Sequence, residues 1–236
     1  MMIFLTVIRQ LKTTSTGGRR FLRDCIKLFC GITIYSFGVY LTIAANIGLA
    51  PWDCLGMGIA NCTPLSYGSA MVLIALVAIS LQLLMKERIG FATVVDALLT
   101  GNLVQLFSDL SPLPEIHNIW LGILIMLTGF AVIDIGAWVY MSAELGNGPK
   151  DGLLVALGKQ LPKIPIGVIG MILWSVVTLI GWMLGGSVGI GTVLSVFGAG
   201  VIMNLVYRFI GFDPRELKHR SIRDTVNYIS SLNKRV

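Results

Sequence analysis

The chain has 236 residues, of which 55% are hydrophobic and 13% charged, with a mean hydropathy of +0.82. That mix excludes an ordinary soluble domain and points to an integral membrane protein. The net charge of +6 would suit a nucleic-acid partner, but the positions of the charges along the chain speak against one, and four cysteines without a C-x-x-C pair beside two histidines leave no metal cluster to build.

Residues 1–27 form a basic segment with Arg9, Lys12, Arg19, Arg20, Arg23 and Lys27. Its apolar start, Met1 to Ile8, is short and precedes the basic stretch, so it does not read as a cleavable signal. The first predicted span covers about 28–47. Gly48 allows a sharp turn into a short helical pattern over 51–63 that begins Pro51-Trp52-Asp53. Proline suits a first helical turn, and a carboxylate two residues later faces the positive end of the helix dipole.

Spans two and three are expected at about 66–85 and 90–108, with Lys86 and Arg88 between them. The third opens with Gly90-x-x-Thr93 and carries Asp96, Asn102 and Gln105, broadly on one side. Span four, about 119–143, holds Asp134 near its middle. It turns at Gly146 into a second short pattern over 149–162 that begins Pro149-Lys150-Asp151. Spans five and six are expected at about 165–184 and 189–208, the sixth opening with Gly189-x-x-Thr192. A basic tail, 210–236, ends the chain.

The pattern Gly-x-x-Pro-x-Asp-x-Leu thus occurs twice, at Gly48, Pro51 and Asp53 and again 98 residues later at Gly146, Pro149 and Asp151. Gly90 and Thr93 recur as Gly189 and Thr192 at an offset of 99. The expected fold is all-α: six transmembrane helices in two repeats, 28–110 and 119–209, each with a short Pro-started helix after its first span. If the N-terminus is cytoplasmic, all 18 Lys and Arg fall on the cytoplasmic side. Three spans per repeat is an odd number, so the second repeat enters from the opposite face, and the repeats are inverted. Both termini are then cytoplasmic, and the Pro-started helices are either interfacial or re-entrant.

A carboxylate inside a span is costly and usually faces a protein interior or a water-filled cavity. Asp134 corresponds to Ser36 and Asp96 to Ser195 across the repeat, so each carboxylate belongs to one copy. Asp134, Asp96, Asn102 and Gln105 are therefore the candidate intramembrane site, with a structural alternative in which each is tied off against a neighbouring helix. The glycines and Gly-x-x-Thr motifs suit close helix approach.

The stretches GLAPWDCLGMGI, ERIGFATVVDALLTG, GNGPKDGLLVALGKQL and GWMLGGSVGIGTVLSVFGAG resemble the YczE/YitT-type family of bacterial multi-span membrane proteins, in particular its YczE-like branch. That resemblance implies a bacterial inner-membrane protein with an internal duplication, and marks Gly48, Pro51, Asp53, Gly90, Thr93, Gly146, Pro149, Asp151, Gly189 and Thr192 as signature positions. The expected function is a transporter-like permease for a small molecule or ion in the lipid bilayer. A non-transporting scaffold is the alternative. No enzyme activity and no cofactor are expected, and the small size leaves a homodimer open.

Overall fold

A computed structural model of the chain describes residues 2–87, 89–110, 116–164 and 166–211. The tail beyond Gly211, Arg88 and the Glu115 part of the predicted outer loop lie outside the described residues. The described residues form nine helices: α1 (Met2–Ala44), α2 (Pro51–Cys62), α3 (Tyr67–Leu84), α4 (Phe91–Leu110), α5 (Ile119–Met141), α6 (Pro149–Gln160), α7 (Ile166–Met183), α8 (Ile190–Phe197) and α9 (Ala199–Ile210). The basic N-terminal segment is continuous with the first span in α1.

Local chemistry explains the element ends. Ser66 caps α3 by accepting from the Ser69 N–H at 3.2 Å, and Asn118 caps α5 by accepting from the Trp120 N–H at 2.9 Å. The short helices α2 and α6 start on proline, with Asp53 and Asp151 in their first turns. The turns before them repeat in detail: Asn46 and Glu144 adopt φ of 54° and 57°, and Gly48 and Gly146 adopt 114° and 129°. These left-handed values end the preceding helices and aim the chain sharply back.

Among the described residues four helices are long and apolar enough to cross a membrane: the Phe21–Ala44 part of α1, α3, α4 and α5. A fifth span requires joining α8 and α9, which meet at a 47° bend. The fifth expected span, α7, offers a shorter apolar stretch, Val168–Met183. Six full-length spans are thus not what the helix lengths give, and the glycine at the bend, Gly198, is what divides the last one. Large apolar side chains cover the outside; Phe209 is 94% exposed and Leu84 79%. A surface of this kind is at home in hydrocarbon rather than water.

The core seam joins α1 to α5. Gly31 lies against Tyr140, Gly38 against Ile133, Thr42 against Gly129 and Tyr35 against Gly136, so the two helices run antiparallel. A Cβ at Gly31 would come within 2.4 Å of the Tyr140 backbone nitrogen, and one at Gly136 within 2.4 Å of that of Tyr35. Only glycine permits this approach, which trades side-chain volume for backbone contact. Shifting each residue by the 98-residue offset exchanges the Gly31 contact with the Thr42 contact and the Tyr35 contact with the Gly38 contact. The seam is therefore self-complementary, and its centre falls beside Ser36 on α1 and Asp134 on α5.

The two repeated motifs lock onto each other across the halves. Gly48 sits on Gly189, and Gly146 sits on Gly90. The Gly191 N–H donates to the Ile47 carbonyl at 2.8 Å, and its counterpart, the Ala92 N–H, donates to the Leu145 carbonyl at 2.9 Å. The short helices are exchanged in the same way, α2 packing on α7 and α6 on α3. One relation breaks the pattern. Helix α3 packs along α4, whereas among the described residues α7 stands off α8 and α9, across an apolar cleft of about 380 Å³.

Candidate functional site

The packing of α6 on α3 brings the second Pro-x-Asp turn to an interior chamber. It is lined by Tyr35 from α1, Asp96 and Thr100 from α4, Tyr140 from α5, and Lys150 and Asp151 from α6. Asp53 from α2 approaches from the other half: its carboxylate accepts a 3.0 Å hydrogen bond from the Tyr67 hydroxyl. Tyr35 stands in the chamber wall together with Asp96 and Asp151. The Tyr35 and Tyr140 rings stand edge to face with centroids 6.1 Å apart.

Each side chain is held by its own partner. The Thr100 hydroxyl donates to the Asp96 carboxylate one turn away. The Tyr140 hydroxyl is directed to the Asp151 carboxylate. The buried Gln82 side chain presses on the α6 backbone at Gly152 and donates to the Pro149 carbonyl at 2.8 Å, fixing the start of α6. Across the repeat the corresponding contact pairs Gly181 with Cys54, so a large side chain facing a glycine in one half answers a glycine facing a small side chain in the other.

Lys150 is half-buried and exerts its charge on Asp53, Asp96 and Asp151, yet lies within salt-bridge distance of none of them among the described residues. Its counterpart in the first half is Trp52. Burial pushes Asp53 and Asp151, in the short helices, above the usual carboxylate range; the Lys150 charge and the tyrosine hydroxyls pull the other way. Asp151 is open to solvent at the chamber wall. The open space in the chamber is about 20 Å³, which admits one water but no organic molecule. Among the described residues no three His, Cys, Asp or Glu side chains are grouped closely enough to hold a metal ion.

The expected site residues do not all gather here. Asp96 does, as do Pro149 and Asp151, with Asp53 alongside. Asn102 points outward and donates to the Leu98 carbonyl of its own helix. Gln105 lies farther along α4, where its amide donates to the Asp109 carboxylate at 2.8 Å. The spacing that placed Asp96, Asn102 and Gln105 on one side is thus corrected: the helix turns Asn102 away from Thr100 and Asp96. Asp134 is 8% exposed and sits on the α1–α5 seam, outside the chamber lining. Gly90, Thr93, Gly189 and Thr192 form the interlock. Thr93 accepts from the Gly90 N–H at 3.2 Å and donates to the Asn147 carbonyl at 2.6 Å, while Thr192 accepts from the Gly189 N–H at 3.2 Å.

The sequence profile of a family of unknown function, DUF6198, matches residues 22–208, which includes every element of the chamber and the interlock. The chain belongs to the DUF6198 family. It is 28% identical over 181 residues to the uncharacterized membrane protein YczE of Bacillus subtilis, covering 74% of this chain and 81% of the relative. It is 27% identical over 187 residues to an uncharacterized protein of Haemophilus influenzae, covering 79% and 84%. A third relative, the uncharacterized protein YyaS of B. subtilis, is 26% identical over 177 residues, covering 74% of this chain and 88% of the relative. No solved structure matches this chain. The YczE-like resemblance drawn from the motifs is thereby borne out, and this DUF6198 chain is a membrane protein.

Sequence reasoning about this DUF6198 member missed Lys150, Tyr35, Tyr67 and Tyr140. Lys150 carried a signal: it is the basic variant of the middle position of Pro-x-Asp, where the first copy has tryptophan. The tyrosines carried none, because an aromatic residue in an apolar span reads as packing.

Proposed function

We propose that this protein is a transporter-like permease of the bacterial inner membrane, built as two inverted three-span repeats with both termini in the cytoplasm. The observation that carries this reading is the charged chamber at the junction of the halves, where Asp96 of the first meets Lys150 and Asp151 of the second and the Lys150 charge also reaches Asp53. The antiparallel α1–α5 seam supports the inversion: helices equivalent in sequence run in opposite directions about a centre beside Ser36 and Asp134. Such an arrangement supplies two states of similar energy, reached when the halves exchange conformations. The unequal packing of α3 on α4 and of α7 against α8 is what one such state would display. The chamber, closed to all but about one water in this state, opens to a solute when the halves exchange conformations.

Alternating access can be tested without knowing the solute. In a variant with Cys25, Cys30, Cys54 and Cys62 replaced by serine or alanine, Thr100→Cys places one thiol in the chamber wall. A permease exposes that thiol to a membrane-impermeant thiosulfonate added to right-side-out vesicles and also to the same reagent added to inside-out vesicles. Labelling from one face alone, or from neither, defeats the reading and leaves a non-transporting membrane scaffold.

A further inference from the structure

One buried carboxylate takes no part in the chamber. Asp134 stands on α5 at the centre of the α1–α5 seam and is 8% exposed. Met126, Phe130 and Asp134 are spaced by four and so share one face of α5. Helix α9 packs on α5, with Ala199 and Ile202 against the Met126 and Phe130 cluster. The face that carries Asp134 is thus covered by α9 on one side and flanked by α1 on the other.

The other polar groups of the seam are tied off. The Ser36 hydroxyl, at the corresponding position of the first half, donates to the Ile32 carbonyl at 2.8 Å, and the Thr42 hydroxyl donates to the Val39 carbonyl at 2.7 Å. Asp134 is not: among the described residues it accepts no hydrogen bond and has no charged partner. The titratable groups that feel its charge from the packed helices are two tyrosines, Tyr35 on α1 and Tyr207 on α9. An ionised carboxylate buried in this way has nothing to offset its lost hydration.

We infer that Asp134 is a proton-binding site, whose carboxyl holds a proton while the seam is closed and gives it up to water that enters. The proton is the ligand that these surroundings can take. A metal ion needs several donors, and among the described residues no three His, Cys, Asp or Glu side chains converge. An organic cation needs room, and the flanking contacts leave none. A Cβ at Gly136 would lie 2.4 Å from the Tyr35 backbone nitrogen, and one at Gly38 would lie 2.7 Å from that of Ile133. Protonation needs neither donors nor volume: an O–H bond forms on one carboxylate oxygen and the charge is lost, and the proton passes back to a water molecule when that bond breaks. A way for water remains. Among the described residues the one fully enclosed polar side-chain atom without a partner is the Thr178 hydroxyl oxygen, so the Asp134 oxygens are not completely closed off.

This inference deepens the permease reading by naming the coupling ion, and it rests on that reading for its meaning, but it is measured separately. Infrared spectra of the full chain in hydrated lipid films, wild type minus Asp134→Asn, should contain a protonated-carboxyl stretch. The band should shift down in heavy water and lose most of its intensity between mildly acidic and alkaline buffer. Asp134→Glu, which keeps the carboxyl, should show the band at a displaced position and serves if the asparagine variant does not fold. Asp96→Asn should leave the band in place. Absence of the band at every pH would mean a carboxylate that is always ionised, and a band unchanged by alkali and by heavy water would mean a closed-off structural acid; each overturns the inference. If the band titrates while the Thr100→Cys thiol is reached from one face alone, the proton site stands and the permease reading falls. If the thiol is reached from both faces and the band does not titrate, the permease reading stands and the proton site falls.

Discussion

The interlock of the two motifs makes an asymmetric prediction from near-symmetric parts. Thr93 is 3% exposed and its hydroxyl serves two backbone groups, accepting from the Gly90 N–H and donating to the Asn147 carbonyl. Thr192 is 5% exposed and serves the Gly189 N–H. Valine has the shape of threonine without the hydroxyl, so Thr93→Val removes two hydrogen bonds and Thr192→Val one, with no cavity. Side-chain hydrogen bonds inside membrane proteins contribute about 0.6 to 1.7 kcal/mol each. Thr93→Val should therefore cost about 2 kcal/mol and Thr192→Val about 1 kcal/mol. For a chain of this size a loss of about 2 kcal/mol lowers the melting temperature by roughly 4–8 °C. With Cys25, Cys30 and Cys62 replaced by serine, the fully buried Cys54 is the one remaining thiol, so a thiol-reactive dye reports unfolding of the detergent-solubilised protein. Thr93→Ser, which keeps the hydroxyl, should recover most of the loss. Equal shifts for the two valine variants, or a silent Thr93→Val, would show that the interlock is not held by these bonds.

Other consequences are as specific. Gly136→Leu forces the α1–α5 seam apart, since even a Cβ would lie 2.4 Å from the Tyr35 backbone nitrogen; little folded protein should be recovered on size-exclusion chromatography, whereas Gly170→Ala, whose Cβ would sit 3.6 Å from Leu154, should be recovered normally. Inversion predicts that a lone cysteine at Thr63, after α2, reacts with impermeant maleimide on intact cells, while one at Gln160, after α6, reacts only once the membrane is opened; labelling of both from the same side removes the inverted arrangement. Lys150→Met should make stability more sensitive to alkali. Burial holds Asp53 and Asp151 above the usual carboxylate range, so the native state binds protons that the unfolded chain releases, and their contribution declines as pH rises above the ordinary carboxylate value. Without the Lys150 charge that decline extends to higher pH, so thermal melts should show the deficit of the variant growing with pH and shrinking as the carboxylates protonate. A deficit that does not change with pH would mean that Lys150 acts through packing alone.

Much of the architecture was legible in the order of residues because it is written in glycine, proline and aspartate, whose backbone effects are local. Gly48, Pro51 and Asp53 specify a turn and a helix start wherever they stand, and the same residue types recur at Gly146, Pro149 and Asp151. Apolar composition likewise settles the solvent, since uncharged stretches of this length belong in hydrocarbon. Length and side-chain direction were less secure. Gly198 divides a stretch that reads as one span, and a half-turn error along α4 was enough to group Asn102 and Gln105 with Asp96. What only the tertiary structure decided is which half each piece serves. Gly48 rests on Gly189 and Gly146 on Gly90, α2 lies on α7 and α6 on α3, and Lys150 comes in from a short helix to stand among carboxylates of both halves. No periodicity encodes such pairings, because they depend on how the two halves of the chain close on each other, and the energy that selects them, close glycine contact and bonds between backbones remote in sequence, exists only once both halves are folded.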